Sequence, residues 1–294
     1  MFANSGRELI KVCKEEGISI AEYTIRNEVS NGLPREKVIK KMQKNLSVMM
    51  KSANYGMDNE VKSISGLIGG DAVKLKKYSE ENKSITGELL VKAMGRALSC
   101  SEVNASMGKV VASPTAGSCG ILPGVIISGG EKLNKDETQL VDALFTAAGV
   151  GNIIAQNATL SGAEGGCQAE CGSAAAMGAA AVVEMAGGTP EMALDAASIV
   201  IKCVLGLVCD PIAGLVEVPC AKRNIMGTVN ALAAADMVLA GIKSIIPFDD
   251  AVLAMYRIGK QMSCELRETA MGGLAVTPTG LELKDKILLK SKSN

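Results

Sequence analysis

The sequence predicts an all-α protein, a single helical domain over residues 1–294. Hydrophobic residues make up 48% of the chain but aromatic residues only 2%, with no tryptophan. A core of alanine, valine, leucine, isoleucine, methionine and glycine suits close helix packing better than a β-sandwich, which favours aromatic and β-branched residues. Apolar residues recur at helical spacing, and alternating strand patterns are scarce.

The first helices are predicted from this periodicity and from their end signals. Residues 5–31 predict one or two polar helices, and a further helix begins at Pro34. Residues 84–111 are predicted to be mostly helical, and the Ser-, Gly- and Pro-rich stretch 112–124 to be a loop. Residues 136–150 and the alanine-rich residues 173–186 predict two more helices, the second closed by two glycines.

The sequence TPE at 189–191 is a typical helix start, with an N-cap threonine, a proline in first position and an acid in the first turn. This helix is predicted to run to about residue 208, where DP at 210–211 stops it. Two further helices are predicted near 225–244 and 248–269, then a loop at 271–280 and a loose tail. Residues 1–100 predict a polar helical layer, and residues 101–280 a buried catalytic core.

The composition argues against several functional classes. The 31 basic residues balance the 31 acidic ones, so no surface for nucleic acid or an anionic membrane is indicated. The first residues lack the uninterrupted apolar stretch of a signal peptide, and charged residues interrupt the long apolar segments. We expect a soluble cytoplasmic protein that binds neither nucleic acid nor membrane.

The chain has nine cysteines and no histidine. An odd, scattered set of cysteines in a chain of this length does not indicate a disulfide framework, and clustered cysteines in a reducing compartment more often mean metal binding or catalysis. Without histidine, a metal site must use thiolate or oxygen ligands. Ser–His catalysis within this chain is excluded.

Candidate metal ligands lie in Gly- or Pro-rich loops at helix ends, in the stretches CQAEC (167–171) and CDPIAGLVEVPC (209–220). Helix ends leave backbone N–H groups free, and a helix N-terminus favours negative charge. Cys167, Cys209 and Cys220 are therefore candidates, although their spacing is not that of a ferredoxin or zinc ribbon. Simple burial is the alternative, and it is preferred for four cysteines in helical patterns, Cys13, Cys100, Cys203 and Cys264.

Five stretches carry long motifs in a fixed order. They are GLIGGDAVKLKKY (66–78), NASMGKVVASPTAGSCGILPG (104–124), SGAEGGCQAECGSAAAMGAA (161–180), CDPIAGLVEVPCAKRN (209–224) and GGLAVTPTG (272–280). Together they resemble the α chain of the bacterial iron–sulfur L-serine dehydratase, or L-serine ammonia-lyase. The resemblance implies an all-helical catalytic portion with cluster-binding loops at helix ends.

The resemblance also implies a 4Fe–4S cluster held by Cys167, Cys209 and Cys220. The fourth iron is left free to act as a Lewis acid on the serine hydroxyl, giving pyruvate and ammonia. Cys171 departs from the family pattern, which leads us to expect a small aliphatic residue there. On a helix, a residue four positions after Cys167 need not face the same way, so we predict that Cys171 is not a ligand.

The loop SPTAGSCG (113–120) offers hydroxyls and N–H groups ahead of a helix, as an anion-binding turn does. Arg223 can pair with a substrate carboxylate or offset the charge of the cluster. The predicted substrate-binding residues are Ser113, Thr115, Gly117, Ser118, Asn157 and Arg223.

No residue of this chain is assigned as the catalytic base. The resembled enzymes occur as one fused chain or as two subunits, and their proposed catalytic histidine belongs to the β portion. The resemblance therefore implies an α subunit that acts on L-serine together with a β subunit. A histidine from that partner would reconcile a chain without histidine with the removal of the Cα proton.

Other interpretations stay open at this point. A pyridoxal-phosphate lyase needs a lysine in a cofactor context, and no lysine within residues 101–250 lies in an obvious one. A related iron–sulfur lyase acting on L-cysteine would have nearly the same site. Four cluster thiolates, including Cys171, would favour a non-catalytic iron–sulfur subunit. The last alternative is a helical protein whose cysteines are simply buried, which would hold no iron.

Overall fold

The structure, a computed structural model, describes residues 3–81 and 83–292. These residues form α-helices joined by loops and short 3-10 turns, with isolated β-bridges and no longer strand pairing among them. The all-α prediction is confirmed. The helices are α1 Gly6–Glu16, α2 Ile20–Ser30, α3 Arg35–Asp58, α4 Asp71–Glu80, α5 Glu88–Ala105, α6 Ile121–Lys132, α7 Glu137–Asn157, α8 Gly162–Gly165, α9 Ser173–Met185, α10 Pro190–Val204, α11 Cys220–Leu239, α12 Phe248–Gln261 and α13 Pro278–Lys292.

Side-chain caps fix where several helices begin. Ser5 and Asp136 each accept a hydrogen bond from the backbone N–H three residues further on. Thr189 accepts one from Met192 at 3.3 Å, and Pro190 is the first residue of α10. The predicted start of this helix is confirmed. Each cap pairs an N–H group that the helix itself leaves free and stabilises the protein by about 1 kcal/mol.

Helix α9, with the sequence SAAAMGAAAVVEM, lies at the centre of the fold. All of its residues except Glu184 are buried, and α6, α7, α10 and α11 pack around it. A Cβ added at Gly178 would lie 3.2 Å from a side-chain atom of Val125 in α6. Because small side chains let helix axes approach closely, this core is filled without tryptophan and with few other aromatic residues.

The N-terminal helices pack on this core. Helices α3 and α4 lie against α5, and α2 lies against α7. The Glu184 carboxylate of α9 accepts hydrogen bonds from the backbone N–H groups of Ile20 at 2.7 Å and Ala21 at 3.2 Å, and from the Thr146 hydroxyl. A carboxylate at the start of α2 is favourable because a helix N-terminus carries partial positive charge. The central helix thus also fixes the N-terminal layer.

Several predicted boundaries and loop assignments are wrong. Helix α11 begins at Cys220 rather than near residue 225, and α12 ends at Gln261 rather than near 269. The tail predicted to be loose contains α13, and the predicted loop 112–124 runs into α6. Helix α6 contains a proline and three glycines, which have low helix propensity. Burial against α5 and α9 stabilises it nonetheless, because packing outweighs propensity in folded proteins.

Helix α7 is, within the described ranges, the one helix long and apolar enough to cross a membrane. In its most apolar 18-residue stretch, 67% is buried inside the fold. Helices α2, α3 and α9 pack against it. Core packing therefore accounts for its apolar sequence.

Glu102 is a fully buried carboxyl that joins α5 to α4. Its Oε1 accepts hydrogen bonds from the N–H groups of Asp71 at 2.7 Å and Ala72 at 3.3 Å, whereas Oε2 is buried without a hydrogen-bond partner. Burial raises the pKa of Glu102, opposed by the two N–H groups. The folded protein therefore keeps this proton at pH values where the unfolded chain has lost it, and stability from this group falls as pH rises through that interval.

We expect the Glu102→Gln variant to gain stability relative to wild type between about pH 5 and about pH 8. Glutamine keeps an acceptor for the two N–H groups but never ionises. The measurement is the difference in free energy of unfolding between variant and wild type, from urea denaturation at both pH values. Glu88→Gln is the control, since Lys92 lowers the pKa of this exposed carboxyl on the same helix. The same rise in both variants would contradict the assignment to Glu102.

Candidate active site

Four loops meet beside the start of α9. They comprise residues 106–120, 166–172, 205–219 and 262–277, the second including a π-helical turn at Gln168–Gly172. Backbone hydrogen bonds join three of them. Cys209 N–H donates to the carbonyl of Leu266 at 2.8 Å, Glu268 N–H donates to the carbonyl of Cys209 at 2.7 Å, and Gln168 N–H donates to the carbonyl of Leu207 at 3.0 Å.

The loops bring Cys167, Cys209 and Cys220 to one place. All three thiols are buried. Cys167 directly precedes the π-helical turn, and Cys220 is the first residue of α11. Burial, and after it a negative charge on Cys167, raises the pKa of Cys209 and of Cys220. The three thiols therefore lie near enough to interact although they come from three segments.

These thiols resist ionisation in the chain alone. Burial, followed by the charge on Cys167, raises the pKa of Cys220 to about 12 and also raises the pKa of Cys209. The positive charge of Arg223 opposes the shift at Cys220. A metal bound between the sulfur atoms would reverse the balance, because a coordinating thiol loses its proton to the metal.

Cys171 faces Cys167. The sulfur atoms of Cys167 and Cys171 lie 3.3 Å apart, within hydrogen-bond distance. The hydrogen bond between them lowers the pKa of Cys167 against the effect of burial. Residues four apart lie on the same face of a helical turn. The argument that Cys171 need not face the same way as Cys167 is therefore wrong. That Cys171 is not a cluster ligand stays a prediction.

Glu170 is a site residue that the sequence analysis missed. Its Oε1 accepts a hydrogen bond from the Thr115 hydroxyl at 2.7 Å, and the Cys209 thiol donates to its Oε2 at 3.9 Å. Burial, against the Thr115 hydrogen bond, raises the pKa of Glu170, and the nearby charge of Glu268 adds to this. Ligand atoms of Glu170, Cys209 and Glu268 all lie within 4.8 Å of one another, so this group could hold a metal ion.

A signal for Glu170 is present in the sequence. It is an acidic residue between two cysteines in a stretch of small residues, CQAECGSAAA. Isolated charges in such buried segments need partners. No comparable signal marks Glu268, which reaches the site only because the bridge between Cys209 and Arg267 holds its loop there.

Arg223 lies half-buried beside the thiols. It forms an ion pair with Asp210 at 2.8 Å and donates to the carbonyl of Val208 at 2.8 Å. Asp210 in turn accepts a hydrogen bond from the N–H of Leu274 at 2.7 Å. The pair therefore fastens two of the four loops and sets a positive charge near Cys220.

The predicted substrate loop reaches this group through Thr115 and Gly117. Thr115 and Ser118 form a capping box around the 3-10 turn Ala116–Ser118. A Cβ added at Gly117 would lie 3.1 Å from Oε1 of Glu170. This loop therefore packs against the Glu170 carboxylate. The hydroxyls of the loop consequently lie next to the loops that carry the cysteines.

Ser113 and Asn157 are engaged in bonds to local backbone. The Ser113 hydroxyl donates to the carbonyl of Val111 at 3.4 Å. The Asn157 amide, at the end of α7, donates to the carbonyls of Asn4 at 2.8 Å and Ile153 at 2.9 Å. These bonds give both residues a structural role, and their assignment to substrate stays a prediction.

Asn224 fastens the substrate loop to α11. Its amide nitrogen donates to the carbonyls of Gly117 at 2.7 Å and Cys220 at 2.9 Å, and its oxygen accepts from the N–H of Gly120 at 2.9 Å. The residue is 1% exposed. One buried side chain therefore positions the loop against the helix that begins with a candidate ligand.

Two other cysteines differ from expectation. Cys13 and Cys100 are buried as predicted, but Cys203 and Cys264 are exposed, because one lies at the end of α10 and the other in the loop after α12. Cys203 lines an open cavity of about 520 Å³ together with Cys171 and Arg223. Solvent thus reaches the neighbourhood of the thiols from this side.

Comparison with known proteins identifies the family. The family model described as serine dehydratase alpha chain matches residues 15–275. The chain belongs to the serine dehydratase alpha chain family. The resemblance inferred from the sequence motifs is therefore confirmed.

Members of the serine dehydratase alpha chain family match this chain almost end to end. It is 52% identical over 288 residues to a probable L-serine dehydratase alpha chain of Bacillus subtilis, covering 98% of this chain and 95% of the relative. It is 49% identical over 286 residues to the L-serine dehydratase alpha chain of Peptoniphilus asaccharolyticus, covering 97% and 98%. An L-serine dehydratase of Helicobacter pylori is 32% identical over 285 residues, covering 93% of this chain but 61% of the relative.

Replacing Asn224 by alanine should destabilise the protein by roughly 2–3 kcal/mol, because buried N–H and carbonyl groups of two segments lose their partner. The measurement is the free energy of unfolding from urea denaturation. Asn104→Ala is the matched control, since this amide makes a longer, solvent-exposed hydrogen bond of 3.4 Å to Ala116 in the same loop. Asn104→Ala should lower the free energy of unfolding by less than about 1 kcal/mol. Equal decreases in the two variants would refute the role given to Asn224.

Proposed function

We propose that this chain is the α subunit of an L-serine ammonia-lyase, which converts L-serine to pyruvate and ammonia. The observation that carries the proposal is the convergence of three buried thiols from separate segments beside Glu170 and Arg223. Family membership supports it, because the relatives of similar length are named as alpha chains of L-serine dehydratase.

The donor set fits an iron–sulfur cluster. Thiolates are the protein ligands that hold such clusters, and Cys167, Cys209 and Cys220 are buried and converge. Cys220 opens α11, where free N–H groups and the helix dipole favour a thiolate. We therefore assign a 4Fe–4S cluster to these three residues, with one iron left without a protein ligand.

When bound, the cluster supplies a Lewis-acid iron that stabilises the charge developing on the serine hydroxyl as the C–O bond breaks. The residues of this chain hold the rest of the substrate. We place the substrate carboxylate beside the loop 113–120, where the Thr115 and Ser118 hydroxyls already donate to Glu170 and to the Thr115 carbonyl. Arg223 contributes positive charge rather than a free hydrogen-bond donor because it already pairs with Asp210.

A second chain completes this site. The present chain contains no histidine, and it spans 61% of the Helicobacter pylori relative, whereas it spans 95% of the Bacillus subtilis alpha chain. We assign the removal of the substrate Cα proton to a histidine of a β subunit. This subunit docks over the site. We place the complex in the reducing cytoplasm, where free thiols persist.

Replacing Cys167, Cys209 or Cys220 by alanine should each remove most of the iron, sulfide and serine-deaminating activity, since each thiolate is a required ligand. The complex with the β chain would be purified without oxygen and its iron and sulfide contents measured. Cys203→Ala, an exposed cysteine, serves as the matched control and should keep both. Full iron content in any of the three variants would remove that residue from the ligand set.

The Cys171→Ala variant tests the fourth thiol separately. We expect it to keep most of its iron and activity, because the three other thiolates suffice. Loss of the cluster would make Cys171 a fourth ligand and would favour a non-catalytic iron–sulfur subunit over an enzyme.

The cluster-loaded chain alone should retain at most about 1% of the activity of the complex, because general-base catalysis contributes roughly 10²–10⁴-fold. Pyruvate formation from L-serine would be measured with and without the β chain, and sulfide release from L-cysteine in parallel. Full activity without a partner would refute the shared site. A larger kcat/KM for L-cysteine would favour the related desulfidase instead.

A further inference from the structure

We infer that Glu170, assisted by Glu268, binds the α-ammonium group of the substrate. This inference rests on the proposed function, because it gives a role to a residue within that site. It concerns recognition of the substrate as an amino acid, a task that neither the thiols nor the hydroxyl loop performs.

The Glu170 carboxylate is fixed in a close-fitting recess. The residue is 8% exposed, and Thr115 holds its Oε1 at 2.7 Å. A Cβ added at Gly162 would lie 2.5 Å from Oε2, and one at Gly117 would lie 3.1 Å from Oε1. The start of α8 and the loop 106–120 thus approach the two carboxylate oxygens through glycines and hold the carboxylate in place.

The second oxygen of Glu170 lacks a strong partner. Among the described residues, the hydrogen-bond donor to Oε2 is the Cys209 thiol at 3.9 Å. A thiol is a weak donor, so this contact leaves Oε2 without a strong hydrogen bond. Ligand atoms of Glu170, Cys209 and Glu268 lie within 4.8 Å of one another. Two carboxylates this close together are stabilised when a cation lies between them.

The substrate itself supplies that cation. Arg223 is committed to Asp210 and to the carbonyl of Val208. The ammonium group of serine carries a positive charge and three donors, which can reach Glu170 Oε2 and Glu268 together. Thr115, in the loop proposed to bind the substrate carboxylate, donates to Glu170. The proposed ammonium site at Glu170 is therefore next to the carboxylate site. This matches serine, in which the ammonium and carboxylate groups are attached to the same α-carbon.

The test uses the complex of this chain with the β chain and the Glu170→Gln variant. Glutamine keeps the size of the side chain but removes the charge. We expect KM for L-serine to rise roughly 10–100-fold, the range for a hydrogen bond to a charged group, with a smaller change in kcat. Iron and sulfide contents should be unchanged.

Discrimination against a ligand without the amino group gives a second measurement. 3-Hydroxypropionate is serine without its ammonium group, and its inhibition constant should not rise in Glu170→Gln. We define the preference for L-serine as the inhibition constant of 3-hydroxypropionate divided by KM for L-serine. This ratio should fall by the same factor by which KM for L-serine rises. Glu268→Gln should change this preference in the same direction but less, because Glu268 is exposed. It also provides the test should Glu170→Gln not fold.

Glu265→Gln is the matched control, an exposed carboxylate of the same loop, and it should leave KM and the preference unchanged. A fall in kcat with KM and preference unaltered would assign Glu170 to proton transfer and overturn the inference. Loss of iron in Glu170→Gln would assign it to the metal centre and also overturn it. A wild-type complex that forms no pyruvate from L-serine would overturn the proposed function itself.

Discussion

The close packing of α9 is the constraint on which the rest of the structure depends. Its alanine and glycine residues allow α6, α7, α10 and α11 to surround it, and the loops at the ends of these helices consequently meet at one point. A Cβ added at Gly151 of α7 would lie 2.8 Å from Met177 of α9, which shows how little room the arrangement leaves. Since α9 begins directly after the turn that carries Cys167, Glu170 and Cys171, the same packing positions the chemistry.

The electrostatics of the site follow from this burial. Thiols and carboxylates from four loops are brought close together. After the hydrogen bond with Cys171, the charge of Arg223 also lowers the pKa of Cys167, and the same charge opposes the rise in the pKa of Cys220 that burial causes. The charge of Arg223 is largely balanced by Asp210. Such an arrangement is stable when cations join it, and the proposed metal centre and substrate ammonium group would be two such cations.

The sequence was most informative where local chemistry decides local structure. The threonine cap and proline of α10 predicted its start, and the alanine-rich stretch predicted α9. It failed at α6, where a proline and three glycines indicate a loop, and at α11, which begins at Cys220 rather than near residue 225. In both places contacts with distant segments outweigh the preferences of the residues themselves.

For the site, the sequence by itself determined the ligand types, because the absence of histidine leaves thiolates and oxygens, and its motifs indicated Cys167, Cys209 and Cys220. Only the tertiary structure decided that Glu170 and Glu268 stand beside Cys209 and that Cys171 faces Cys167. The physical reason is that residue type is fixed by the chain, whereas distances between segments far apart in sequence are set by packing. Glu268 lies 59 positions after Cys209 in the chain, yet its N–H donates to the Cys209 carbonyl at 2.7 Å.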